Sequence, residues 1–202
     1  RLCKKALNPI NEKTKAALDI GDLNLKTAAV CVYHEMLSEA ATHLKGTGVH
    51  LAAVSTGFPA GLSPLPLRIE EIKYSVEAGA DEIDIVISRR HVLEGNWEEL
   101  YNEVKMFREA CGEAHLKTIL ATGELGNLTN IAKASVVCMM AGADFIKTST
   151  GKEPTNATLP VSLVMARMIR DYYESTGYMV GFKPAGGISD TKTALQFMTL
   201  MQ

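Results

Sequence analysis

Six strand-like segments alternate with helix-like segments along the 202 residues, and this alternation predicts an α/β fold built on a parallel sheet. Three observations carry the prediction. The connections are short, the strands read as nearly continuous apolar runs of the kind covered on both faces, and the cadence is even. An even cadence suits a (β/α)8 (TIM) barrel better than a doubly wound sheet. Such a barrel has eight strands in about 250 residues, whereas about six βα units are legible here. An apolar content of 47% supports one core, so residues 1–202 are expected to form a single domain.

In order, RLCKKALNPI reads as the end of a helix closing near Asn8 and Pro9, and residues 13–18 give a weak helical pattern. KTAAVCVY is the first clear strand. Residues 35–45 have helical spacing and stop at Gly46 and Gly48, and HLAAVSTGFP (50–59) is the second strand. A Gly/Pro-rich loop over 57–66 precedes an amphipathic helix at 68–77. The third strand, ADEIDIVI (80–87), sets Ile83, Ile85 and Ile87 on one face and Glu82, Asp84 and Val86 on the other. A loop over 88–95 leads to the longest helical pattern, 96–111, and HLKTILAT (115–122) is the fourth strand. Helices at 129–140, 159–174 and 190–200 flank a fifth strand ending at Lys147 and a sixth ending at Lys183.

Composition excludes several classes. A net charge of −2 with interspersed signs gives neither a basic field for nucleic acid nor a polybasic patch for a membrane. Cys3, Cys31, Cys111 and Cys138 show no CxxC or Cys/His spacing, and Cys31 and Cys138 lie in apolar runs that suit free thiols in a reducing compartment. None of the five histidines stands at a metal-ligand spacing, and no apolar run is long enough to span a bilayer, so a cytoplasmic protein is expected. Trp97, Met139 and Met140, at helical spacing, read as core.

The chemistry concentrates at two strand ends. GADFIKTSTGK (142–152) is an apolar strand that closes on Lys147 before a turn of small residues, and MVGFKPAGGI (179–188) closes on Lys183 before paired glycines. From Lys147 alone, a snorkelling side chain is the simpler account. Two such strands lying adjacent and parallel would bring their amines together, and each would then disfavour the other's protonation. An amine freed of its proton attacks carbonyls, the chemistry of Schiff-base lysines. Asp84 belongs to the inward set of its strand; it either serves that pocket as an acid or simply pairs with Lys117 or Lys147.

GADFIKTSTGK, GFKPAGG, DEIDIV (81–86), LKTILATGEL (116–125) and AAVCVY (28–33) together resemble, in order, the segments of the deoxyribose-phosphate aldolases, which are class I aldolases on a (β/α)8 barrel, and the likeness is greater to their animal forms. The resemblance implies cleavage of 2-deoxyribose 5-phosphate to glyceraldehyde 3-phosphate and acetaldehyde, with no cofactor and no metal. It implies Lys147 as the Schiff-base residue, Lys183 as the second lysine and Asp84 as the acid of a proton relay. It places Cys31 beside the substrate and Thr150, Gly151, Lys152, Gly186 and Gly187 at its phosphate, although Cys31 also reads as a space-filling thiol and Lys152 as a surface charge. It further implies one strand before Arg1 and one strand with helices after Gln202. Ser189 departs from the pattern, which has an arginine there. The expected partner is a small phosphorylated sugar, and open sheet edges favour homo-oligomers. Another Schiff-base aldolase of transaldolase type and a catalytically silent interaction protein remain as alternatives.

Overall fold

The structure, a computed structural model, describes residues 1–202. Two short helices, α1 (Leu2–Leu7) and α2 (Glu12–Ala17), precede six strands: β1 (Ala29–Tyr33), β2 (His50–Ser55), β3 (Glu82–Val86), β4 (His115–Ile119), β5 (Phe145–Lys147) and β6 (Gly181–Lys183). They form one sheet in the order β1-β2-β3-β4-β5-β6, and every pairing is parallel. Between and after them come α3 (Leu37–Leu44), α4 (Leu65–Glu77), α5 (Arg89–Glu94), α6 (Trp97–Cys111), α7 (Leu128–Met140), α8 (Leu159–Thr176) and α9 (Thr191–Leu200). Right-handed crossovers between strands that pair in chain order put all the connecting helices on one face, which is the architecture of a (β/α)8 barrel over six of its units.

Side-chain alternation follows from this. Ile83, Ile85 and Ile87 are fully buried in the hydrophobic core that the sheet shares with the helices, together with Leu100, Val104 and Phe107 of α6. Glu82 and Asp84 point to the other face, the one that becomes a barrel interior. Their flanking strands match them in phase: Asp84 lies abreast of Lys117, Lys117 of Phe145, and Lys147 of Lys183.

The turns into β3 and β5 use the same device. Gly79 and Gly142 take φ of +95° and +98° just past a helix end, and the next-but-one residues, Asp81 and Asp144, accept the N–H groups of Leu51 and Leu116 from the preceding strands at 2.8 and 2.7 Å. Glycine there admits the left-handed backbone, and the carboxylate fixes strand register.

Three local expectations are corrected. Residues 89–94 form a helix where the sequence reads as loop, closed by Gly95 in the left-handed region. The helix expected from Arg68 begins at Leu65, because Pro66 sits in its first turn, where its missing N–H costs nothing. Met140 is 59% exposed at the end of α7, whereas its neighbour Met139 is buried and Trp97 packs against the core. No helix is long and apolar enough to cross a membrane.

Candidate functional site

Because β5 and β6 pair with Lys147 abreast of Lys183, the two strand-end lysines project side by side from the same sheet face. Asp84, two strands away and fully buried, meets both. Its Oδ2 lies 2.6 Å from Lys147 Nζ and 3.7 Å from Lys183 Nζ, while its Oδ1 accepts a hydrogen bond from Lys117 Nζ at 3.0 Å. Measured from one shared oxygen, the Lys147 and Lys183 amines are at most about 6.3 Å apart. Lys117 also donates to Glu82, so five charged groups form one chain. Lys147 and Lys117 are buried, and the Lys183 side chain retains about a third of its exposure.

Three lysines face two carboxylates, so the cluster has one more basic group than acidic groups. Burial pushes the Asp84 carboxyl up, but the charges of Lys147, Lys117 and Lys183 together outweigh it and hold the group below its ordinary value of 3.8. Burial pushes the Lys117 amine down, and Asp84 and Glu82 outweigh that and raise it above 10.5. Asp84 is therefore a fixed anion and Lys117 a fixed cation near neutral pH. Asp84 thus pairs with Lys117 and Lys147, as one of the two readings of the sequence has it, and the same carboxylate stands beside Lys183.

Cys31, half-buried on the same face of β1, feels all four of these groups. Burial and then the Asp84 charge raise its thiol above the usual value despite the lysines, so it lines the site as a neutral thiol.

The loops after β5 and β6 touch. Ala185 N–H donates to Thr148 Oγ1 at 2.9 Å, and Gly151 approaches so closely that a Cβ on it would stand 3.8 Å from Gly186 Cα. Gly151, Gly186 and Gly187 all have φ above +80°, and their N–H groups make no hydrogen bond within the protein. Such backbone donors suit an anion. Thr150 and Lys152 differ from these glycines in having their N–H groups engaged. The Thr150 N–H is held by the Glu153 carboxylate at 3.1 Å, and the Lys152 N–H by Thr150 Oγ1 at 3.1 Å. Those residues can offer an anion only their side chains. Ser189 is exposed just beyond the glycine pair. Glu153 escaped the sequence reading because an acidic residue beside an anion loop argues against a contact until its role in bracing the turn is seen.

The sequence also missed a second group, His50, Glu82 and His115, whose ligating atoms lie within 4.8 Å of one another. Spacing rules look for close neighbours in the chain, and these three stand one βα unit apart at the starts of consecutive strands.

Known proteins resemble this chain in sequence and in fold. The chain is 58% identical over 204 residues to deoxyribose-phosphate aldolase of Mus musculus and 56% identical to that of Homo sapiens; in each case all of this chain is covered and 64% of the relative. It thus spans about 64% of the length of the curated relatives it matches. Among solved structures, "QR15, an Aldolase" superposes with a TM-score of 0.77 at 29% identity, covering 94% of this chain and 80% of that one. The profile of the DeoC/LacD family aldolases matches residues 1–200, and the chain belongs to that aldolase family.

Proposed function

We propose that the protein is a class I aldehyde-lyase that cleaves 2-deoxyribose 5-phosphate to glyceraldehyde 3-phosphate and acetaldehyde through a Schiff base on Lys147. One observation carries the reading: Lys147 and Lys183 reach the same buried Asp84 oxygen, at 2.6 and 3.7 Å. Of the two strand-end lysines Lys147 is the more deeply buried, and in this reading it is the amine that attacks. The likeness to the mouse and human aldolases supports the choice of substrate.

Lys147 Nζ adds to the aldehyde carbon of the open-chain sugar, and loss of water gives an iminium. The proton of the C3 hydroxyl then leaves, its oxygen becomes the carbonyl of glyceraldehyde 3-phosphate, and the C2–C3 electron pair flows into the iminium to form an enamine. Protonation of the enamine carbon and addition of water release acetaldehyde and restore the amine. Asp84 and Lys183, working through water, carry these protons, and Asp84 also supports the cationic iminium that replaces the Lys147 ammonium beside it. The phosphate lies against the N–H groups of Gly151, Gly186 and Gly187, with the Thr150 hydroxyl and the Lys152 amine beside it, and Cys31 borders the sugar. Residues 1–202 act here as one domain, with a small phosphorylated sugar as the partner.

Borohydride reduction in the presence of acetaldehyde tests this. The expected product is an ethyl group on Lys147, found by peptide mass mapping and absent from Lys147→Leu. An adduct on another lysine, or an active preparation that traps nothing, refutes the assignment.

A further inference from the structure

We infer that His50, Glu82 and His115 form a binding site for one divalent transition-metal ion of the zinc class, at the end of the sheet opposite the reactive lysines. These are the first residues of β2, β3 and β4, whereas Lys147 and Lys183 are the last residues of β5 and β6. Register puts them on one face: Glu82 lies abreast of both Ala52 and His115, and His50 precedes Ala52 by the two residues that return a strand to the same side.

The donor set is two imidazole nitrogens and one carboxylate oxygen, a combination that zinc takes with water in the remaining position. His50 Nδ1 is already 3.1 Å from Glu82 Oε1, and all three ligating atoms fall within 4.8 Å of one another. Bonds of about 2.0–2.1 Å around a tetrahedral ion set its ligand atoms about 3.4 Å apart, so modest turns of two exposed rings complete the set. The carboxylate does not need to turn. Its other oxygen accepts a hydrogen bond from buried Lys117, which fixes the orientation of Glu82 as an outer partner does for a metal-bound carboxylate. The ammonium also works against a cation, but Asp84 on its far side offsets that charge.

The simpler account, an ion pair between His50 and Glu82, does not involve His115, whose ring centroid lies 6.4 Å from that of Phe145. Its imidazole makes no hydrogen bond or ion pair within the protein, and it lies with its ring centroid 6.4 Å from that of His50, at an interplanar angle of 30°. Side-chain exposure of 48% at His50 gives an ion and its waters an open approach.

Glu82 also belongs to the charged chain that runs through Lys117 and Asp84 to Lys147, so the test uses binding alone rather than activity. Metal-free protein is titrated with Co2+, followed by visible absorption, and then with Zn2+ by calorimetry. One equivalent of Co2+ is expected to bind with the d–d bands of nitrogen and oxygen ligands and to be displaced by Zn2+ but not by Mg2+ or Ca2+. His50→Ala and His115→Ala should each weaken binding roughly 100-fold or more, and His50→Gln and His115→Gln should do the same, while His43→Ala, at an exposed histidine on α3, leaves it unchanged. Circular dichroism confirms that the variants fold. Absence of saturable binding, binding indifferent to the His50 and His115 substitutions, or a thiolate charge-transfer band marking a cysteine ligand overturns the assignment.

Discussion

Asp84→Asn removes one charge and almost no volume, so its effect reads the electrostatics of the lysine cluster directly. The carboxylate is fully buried and paired with Lys117 at 3.0 Å and Lys147 at 2.6 Å. Without it three ammonium groups face Glu82 alone. Removing one member of a buried ion pair costs about 3–5 kcal/mol. The ceiling comes from an independent route, because a lysine can lose its proton instead. At pH 7 that costs an ordinary lysine about 3.5 pH units at 1.36 kcal/mol each, close to 5 kcal/mol. The Asn amide oxygen still accepts one hydrogen bond, so a loss of about 3–4 kcal/mol is expected at pH 7. Urea denaturation followed by the fluorescence of Trp97, the only tryptophan, measures it. The pH dependence has a definite sign. The folded carboxyl titrates below its unfolded value of 3.8, so its contribution is fully present above 3.8 and is lost as pH falls through the folded value. The gap between wild type and Asp84→Asn should therefore close in acid. A gap under about 1 kcal/mol at pH 7, or one unchanged on acidification, refutes the charge-cluster account.

Other substitutions probe the same face. Lys117→Met takes away the cation in excess, and turnover should fall at least roughly tenfold with less loss of stability than Asp84→Asn causes, measured by kcat and urea midpoint. Lys117 is raised above 10.5, so its contribution to stability is present below 10.5 and disappears as pH rises through the folded value; the variant should lack that part of the alkaline loss. Gly181→Ala would put a Cβ 2.1 Å from Phe145 Cε1, and displacing that ring should cost about 1–3 kcal/mol in denaturation experiments. Ser189→Arg adds a guanidinium beside Gly186 and Gly187, while the neighbouring Asp190 carboxylate is turned to cap α9 through Thr193 at 2.9 Å. One charge-assisted hydrogen bond of about 1.5 kcal/mol would lower KM for the phosphorylated substrate roughly tenfold, with no gain for a substrate lacking the phosphate.

How far the sequence discloses this site depends on whether each fact is local. A lysine closing an apolar strand can be read from Phe145, Ile146 and Lys147 alone, and strand parity turns Asp84 inward whatever its neighbours are. The expectation that Lys147 and Lys183 meet requires only that consecutive strands pair in parallel. That Asp84 bridges them is less accessible, because it depends on the β3–β4 and β4–β5 registers, which bring Lys117 alongside and make it a third amine of the group. The donors of the glycine loops show the same limit. Gly151, Gly186 and Gly187 keep their N–H groups free, but Thr150 loses its own to Glu153, a contact three residues away that composition cannot anticipate. His50, Glu82 and His115 are the extreme case, invisible to spacing and close only in the folded sheet. Charges on an inward face act by their number and mutual distance, so the make-up of this cluster is fixed by strand register. A one-residue slip of β4 would turn Lys117 out among the helices and leave two amines for two carboxylates, while every strand-end motif in the sequence stayed the same.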